Sequence, residues 1–523
     1  MDRSGPMCGE LRPRATRRLQ SNGAPWNYPR TVDGEMPTPL AEGSVSAEGQ
    51  DEGSRVAVAA RLADELYVIP LEGDQSLIYA PLRQAAFVGN PGAVDLLVDL
   101  KEGRLDGVDP DRAEFAEFLR RLEILDGGTE EPPVTSFSGT PRPTSITLFL
   151  TTECNLRCTY CYASAGERPL KNMDLETAKR GIRFVADNAR ELGRPEILVA
   201  YHGGGEPTTN WDVMVESMSY AREVGRALGI RVRGTAATNG VLSQQQVAWM
   251  VSNLDGASVS FDGLPAAHDT HRLTVVGQGS SHLVMKTLHR FDEAAFRYGI
   301  RVTATADQLR NLPGSVEFIC RRFKPQRIQV EPAFQLGRWK GAPSAETLEF
   351  IDAFRRAQVI ARGLGAEINY SAARVGLLTN HFCGVTQDSF ALSPDGNVSG
   401  CYEVFSEDDE NAGLFFYGRP EVNSNGYVFN MPALELLRSQ AVENRDFCKG
   451  CYAKWHCAGD CFNRSVTASG STSFEGTDRC HITRELTKDQ ILERIARSGG
   501  LFWHEPKSTS QTPPRSTGKE ILE

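Results

Sequence analysis

Residues 146–161 read Ile-Thr-Leu-Phe-Leu-Thr-Thr-Glu-Cys-Asn-Leu-Arg-Cys-Thr-Tyr-Cys. A β-branched and aromatic run of strand character leads straight into a loop bearing Cys154, Cys158 and Cys161 in C-x3-C-x2-C spacing. Three thiolates this close can hold three irons of a 4Fe–4S cube and leave the fourth open. Structural zinc takes four protein ligands, and its thiolates come in spaced pairs. Further apolar runs occur at 197–201, 232–238, 257–261, 302–306 and 328–330. Amphipathic stretches such as Leu175–Glu191 and Trp211–Leu228 lie between them. Alternation of this kind predicts parallel strands with crossover helices. The expected unit is α/β, a partial (β/α)6 barrel over 145–375, with reactive groups at the C-terminal strand ends.

The flanks read differently. Residues 1–55 are rich in Gly, Pro, Ser, Glu and Arg and poor in apolar residues, so they are expected to be disordered. Residues 56–126 predict a small winged-helix-like α+β domain. It has a strand pair at 66–71 and 77–80, a helix over 91–102, and a second helix with Asp109 as N-cap and Pro110 at its first position. A Pro-, Thr- and Ser-rich linker spans 127–144. Beyond residue 376 the regular pattern thins, apart from a hairpin signal at Pro394-Asp395-Gly396-Asn397. That composition suggests a region held by metal rather than by a large apolar core. A helix over 486–498 and a polar tail to residue 523 end the chain.

The chain has 523 residues, a net charge of −10 and twelve cysteines. The negative balance does not suggest nucleic-acid binding. No apolar run approaches the ~20 residues that span a bilayer, so no membrane association is expected. Without an export signal the expected compartment is the reducing cytoplasm, where clustered thiols are more often metal ligands than disulfides. Three cysteines lie in the loop after the first barrel strand and seven between Cys383 and Cys480. Cys8 reads as a free thiol and Cys320 as a small core residue.

The loop and the downstream segment to about residue 373 resemble the radical S-adenosylmethionine superfamily. The resemblance implies that the open iron binds the amino and carboxylate groups of the cofactor. It also implies reductive cleavage to a 5′-deoxyadenosyl radical, which abstracts a substrate hydrogen. Tyr160 would sit against the adenine. Gly203-Gly204-Gly205-Glu206-Pro207 looks like the family's Gly-Gly-Glu-Pro element, with Gly204 and Gly205 approaching the ligand and Glu206 accepting from the methionyl ammonium. Ser260 and Asp262 resemble the ribose-contacting pair. Thr238-Asn239-Gly240 ends another strand. His268, Asp269 and Arg272 match an H-D-x-x-R pattern that also reads as a solvated salt-bridged turn. Arg338 is a further candidate for the cofactor carboxylate.

The remaining cysteines read C-x17-C-x46-C-x2-C-x5-C-x3-C-x18-C. This resembles the seven-cysteine SPASM domain of peptide-modifying radical enzymes, over 376–485. The resemblance gives Cys448, Cys451, Cys457 and Cys480 to a distal auxiliary cluster, and Cys383, Cys401 and Cys461 to a proximal one. It thus implies three 4Fe–4S clusters in all, with one proximal iron lacking a cysteine. His381, another group, or the substrate could fill it. Where sulfatase-maturing relatives carry a catalytic aspartate after the cysteine matching Cys401, this chain has Tyr402 and then Glu403, which become the candidate catalytic residues. Residues 56–126 faintly resemble leader-peptide recognition domains, which bind by strand addition.

The expected activity is therefore hydrogen abstraction from a ribosomally made precursor peptide, installing a crosslink, thioether or epimerised residue. A flavodoxin or ferredoxin would supply electrons. The alternatives are a SPASM enzyme oxidising a protein, as a sulfatase maturase does, or a small molecule, and a non-catalytic zinc-stabilised binding module.

Overall fold

The computed structural model describes residues 61–104, 110–339 and 347–502. The expected disordered segment, Cys8, Asp109 and the tail beyond Phe502 lie outside these residues.

The chain opens with an antiparallel meander, β1 (Tyr67–Pro70), β2 (Ser76–Ala80) and β3 (Ala85–Gly89), followed by α1 (Pro91–Lys101) and α2 (Pro110–Arg121). The Asn90 side chain caps α1 by accepting from the Ala93 amide at 2.9 Å, and Pro91 takes the first turn, where its missing N–H is not needed. The predicted strand pair is thus part of a four-stranded sheet, a three-stranded meander joined at β3 by a short strand from the C-terminal end of the described chain. Its third strand, Ala-Ala-Phe-Val-Gly, is too rich in alanine and glycine to announce itself.

Next comes the barrel: β4 (Ser145–Leu148), α3 (Leu175–Glu191), β5 (Glu196–Tyr201), α4 (Trp211–Leu228), β6 (Arg231–Thr238), α5 (Gln244–Asn253), β7 (Gly256–Ser260), α6 (Pro265–His271), α7 (Ser281–Glu293), β8 (Tyr298–Ala304), α8 (Leu312–Arg322), β9 (Arg327–Pro332), α9 (Thr347–Gly363) and β10 (Ile368–Asn369). Strands β4 to β10 pair in sequence order, all parallel. Side chains of β5 and β8 alternate between buried and half-buried. One face packs under the helices and the other lines the barrel lumen. Val199, Val259, Ile300 and Val330 join Ile182, Met218, Leu288 and Phe354 in one core.

The cysteine-rich region departs from expectation. It contains β11 (Ala391–Leu392), β12 (Val398–Ser399), α10 (Ala412–Phe415), β13 (Phe416–Pro420), β14 (Tyr427–Phe429), α11 (Met431–Arg438), α12 (Lys454–Cys457), α13 (Phe462–Ser469), α14 (Asp478–Arg497) and β15 (Leu501–Phe502). Strand β11 adds parallel to β4, and β12 to β14 continue antiparallel, so one eleven-stranded sheet runs from β10 to β14. Leu392, Val398, Phe415 and Tyr417 belong to the barrel's own core. The region therefore shares an apolar interior instead of depending on metal alone. The C-terminal helix begins at Asp478, earlier than the periodicity suggested, and carries Cys480 in its first turn.

The amino-terminal sheet docks on this region. Tyr67, Ile69 and Tyr79 pack with Tyr452, Ile491 and Ile495. The Tyr79 hydroxyl meets His456 Nε2 at 2.5 Å, and the Trp455 indole N–H donates to Glu65 at 2.6 Å. Strand β15 pairs antiparallel with β3 at Ala86 and Phe87.

Candidate functional site

The first thiol loop sits at the C-terminal end of β4. It is held by backbone bonds rather than by its own composition. The amides of Arg157 and Thr159 donate to the Leu273 and His271 carbonyls at 2.6 and 2.9 Å. Arg338 lies beneath the loop. Its amide donates to the Cys161 carbonyl and its guanidinium to the Cys158 carbonyl, both at 3.0 Å. It also reaches Ala165 and Glu167. Arg338 is thus committed to shaping the loop and is not displayed as a carboxylate receptor.

Gly205 packs where a side chain cannot. A Cβ there would stand 1.8 Å from the Glu153 carbonyl oxygen. Gly203 and Gly204 hold positive φ of 72° and 68°. This close approach lets the Gly205 and Glu206 amides donate to the Thr151 and Glu153 carbonyls, both at 2.8 Å, zipping the glycine turn to the cysteine loop. Glu206 is 2% exposed. It accepts from the Thr238 hydroxyl at 2.9 Å and the Asn239 amide at 2.7 Å, joining the ends of β5 and β6. Burial pushes its carboxyl up, and these donors oppose the shift. The Asn239 side chain also points an N–H at Cys154 Sγ, 3.6 Å away.

Across the loop, Asp262 accepts from the Tyr160 hydroxyl and, at 3.0 Å, from the Thr303 amide. Arg272 donates to the Tyr160 oxygen at 3.1 Å, and its buried Nε has no partner among the described residues. The H-D-x-x-R segment is therefore not a solvated turn. Arg272 is 6% exposed beside Cys158, and Asp269 instead accepts from Ser281. His268 Nδ1 accepts from the Asp262 amide at 3.2 Å and Nε2 meets the Ser280 hydroxyl at 3.0 Å, the pattern of a neutral ring. The Ser260 hydroxyl, half-buried at the end of β7, makes no hydrogen bond among the described residues.

Three thiols in one loop are a donor set that suits an iron–sulphur cluster. Burial raises the thiols of Cys154, to about 12, and Cys158, and neighbouring thiols of the loop add to this. Ionising them needs positive charge close by, which Arg272 supplies in part and bound iron would complete. Among the described residues no group of three or more His, Cys, Asp or Glu side chains converges as ligands of a single metal ion.

The other seven thiols fall into two neighbourhoods. Cys448, Cys451, Cys457 and Cys480 influence one another electrostatically, as do Cys383, Cys401 and Cys461, and burial raises nearly all of them. Between the groups lies a buried ion network: Arg479 donates to Asp460 at 2.8 Å and reaches Glu331 at 3.3 Å. His381 is not presented to the proximal thiols. Its Nδ1 meets the Thr386 hydroxyl at 2.8 Å and its Nε2 the Thr135 carbonyl at 2.9 Å. Glu403 is closer, with Oε2 3.9 Å from Cys461 Sγ. Burial works to raise Glu403, yet Arg464, at 2.9 and 3.2 Å, and Asn463 hold its carboxyl below the usual range. The Tyr402 ring packs against His202 and Phe149, with centroids 5.3 and 6.4 Å away.

Residues 148–307 match the family model described as the Radical SAM superfamily. The chain is 30% identical over 172 residues to Fe-coproporphyrin III synthase of Methanosarcina barkeri, covering 32% of this chain and 39% of that protein. It is 29% identical over 160 residues to mycofactocin maturase MftC of Mycolicibacterium smegmatis, covering 30% and 36%. These matches span about two fifths of the relatives' length. Among solved structures, anSMEcpe with bound AdoMet and Cp18Cys peptide superimposes with a TM-score of 0.53 at 16% identity, over 68% of this chain and 99% of that one. That likeness is one of fold.

Proposed function

We propose that this chain, which carries a radical S-adenosylmethionine domain over residues 148–307, is an enzyme that cleaves the cofactor reductively and takes a hydrogen from a precursor peptide. The observation that carries the reading is the closure of Cys154, Cys158 and Cys161 against the Gly205–Glu206 turn and the Tyr160–Asp262–Arg272 group.

In this reading the three loop thiols hold a 4Fe–4S cluster. When bound, cluster and cofactor supply one electron, methionine and a 5′-deoxyadenosyl radical. The chain's own residues orient the cofactor. Glu206 takes the ammonium, Tyr160 the adenine side, Ser260 and Asp262 the ribose, and Arg272 the carboxylate through its unpaired Nε. Gly204 and Gly205 keep backbone close to both loop and ligand. Cys383, Cys401 and Cys461 hold the proximal auxiliary cluster, and Cys448, Cys451, Cys457 and Cys480 the distal one. Glu403, beside Cys461, would be the candidate for the proximal position that no cysteine fills, with a substrate thiolate or nitrogen as the alternative. Tyr402 is assigned to giving a proton or an electron to the substrate radical, and Glu403, held ionised by Arg464 and Asn463, to taking up a proton.

Four features support a peptide substrate: the mycofactocin maturase relative, the seven-thiol pattern, the docked amino-terminal sheet, and Tyr402 where a sulfatase maturase would carry aspartate. The sheet would take a leader by strand addition. Since β15 already holds Ala86 and Phe87, a leader would either displace β15 or use the far edge, β1. The product is a crosslink, a thioether or an epimerised residue, and a flavodoxin or ferredoxin in the cytoplasm supplies the electron. No helix among the described residues is long and apolar enough to cross a membrane.

The test is anaerobic reconstitution followed by reduction with dithionite. The expected result is about twelve irons per chain, 5′-deoxyadenosine from the cofactor, and a mass change on a co-expressed precursor peptide. A colourless, zinc-loaded protein that releases no deoxyadenosine would overturn it.

A further inference from the structure

We infer that the barrel lumen contains a carboxylate-binding subsite for the substrate, built on Arg301 with His202 beside it. This deepens the proposed function and rests on it, since it takes the lumen as the place where substrate lies.

Strand β8 reads Tyr-Gly-Ile-Arg-Val-Thr-Ala, with Tyr298, Ile300, Val302 and Ala304 buried under the helices. The period of two therefore turns Gly299, Arg301 and Thr303 to the lumen. A guanidinium in the middle of a parallel barrel strand runs against the apolar habit of such strands. Desolvating it is unfavourable unless something pairs with it.

The other arginines of this region are paired. Arg272 donates to Tyr160, Arg338 to the cysteine loop, Arg464 to Glu403, and Arg479 to Asp460 and Glu331. The Arg301 guanidinium makes no hydrogen bond or ion pair among the described residues. Its electrostatic neighbours are Tyr162, His202 and Glu403. Glu403 is already gripped by both Arg464 donors and by Asn463, so its oxygens are committed elsewhere and the Arg301 fork is left for another carboxylate.

His202 supplies the second half. Its Nδ1 is buried without a partner. Burial and Arg301 lower its pKa to about 4, so the ring is neutral near pH 7 and offers hydrogen bonding without adding charge. Position agrees with this assignment. Tyr162 follows Cys161 and Glu403 lies just beyond Cys401, so Arg301 is felt by groups that flank both thiol sites. A substrate that meets both sites, as the proposed function has it, would pass this guanidinium.

The fitting ligand is a carboxylate, which matches the fork of a guanidinium bidentately. An acidic side chain or a terminal carboxylate of the peptide would supply it. The cofactor's own carboxylate is the rival source, and the unpaired Arg272 Nε beside Cys158 is better placed for that.

The test uses full-length, anaerobically reconstituted protein labelled with phenylglyoxal, with modified arginines mapped by peptide mass spectrometry. Arg301 should be labelled in the free protein. Millimolar N-acetyl-L-glutamate should reduce that labelling at least fivefold, N-acetyl-L-glutamine should leave it unchanged, and S-adenosylmethionine alone should not protect. Calorimetry with the same probe should show Arg301→Gln weakening N-acetyl-L-glutamate at least tenfold and Arg301→Lys weakening it less, with cofactor Kd held within twofold. Protection by the cofactor alone, equal protection by acid and amide, or an unreactive Arg301 would each overturn the subsite. A wild-type protein that fails to bind the cofactor would instead sink the broader reading.

Discussion

The thiol loop of the barrel and the thiols of the C-terminal region solve one problem in opposite ways. Cys154, Cys158 and Cys161 share a single loop that main-chain bonds from α6, the glycine turn and Arg338 already fix. Cys383, Cys401, Cys448, Cys451, Cys457, Cys461 and Cys480 come from separate elements, brought together by packing and by the Arg479–Asp460–Glu331 ions. A local site can lose its metal and keep its shape. A distributed site holds its surroundings together, so its loss spreads.

The largest effect should come from separating these cases directly. Cys158→Ala should lose about four irons and all cofactor cleavage while its thermal midpoint stays near wild type. Cys457→Ala should lose a similar amount of iron. Its midpoint should also fall by several degrees, and hydrogen exchange should quicken in β1 to β3, which pack on this region. Equal midpoints by calorimetry would break the contrast.

A smaller effect tests the ions. Asp460→Asn removes one of two carboxylates from Arg479. Urea unfolding should show a loss of about 2–3 kcal/mol, below the roughly 3–5 kcal/mol of a wholly unpaired buried ion because Glu331 remains. A loss under about 0.5 kcal/mol would mean that these ions do not hold the distributed site.

The smallest effect is acid sensitivity on the barrel side. Burial, then Arg272, lowers the His268 pKa well below its ordinary 6.5. The folded ring resists a proton that the unfolded chain accepts. Its contribution is therefore complete above pH 6.5 and is lost as pH falls below that value. Stability measured from pH 7.5 to 5 should decline, and His268→Gln should flatten part of the decline. An unchanged slope would remove His268 as the cause.

The legibility of each region in the sequence divides along the same line. The barrel announces itself because each strand is apolar enough to bury and each helix keeps one apolar face, so alternation alone gives β4 to β9. The C-terminal strands do not, since β11 and β12 are two residues each and take their place from β4 and each other. The thiols were legible from spacing, but their supports were not. Nothing near Arg464 in sequence marks it as the partner of Glu403, and the H-D-x-x-R segment reads as a surface turn until burial is known. Arg301 did leave a signal, a lone charge inside an otherwise apolar strand, which passes unnoticed when strands are scored only for hydrophobic runs.

Helix α14 starts at the Cys480 turn and runs to β15, which closes on β3. It acts as a rigid rod between a thiol site and the sheet near the front of the chain. A probe or fusion attached just after Phe502 would load that rod, and strain applied there would be felt at both ends.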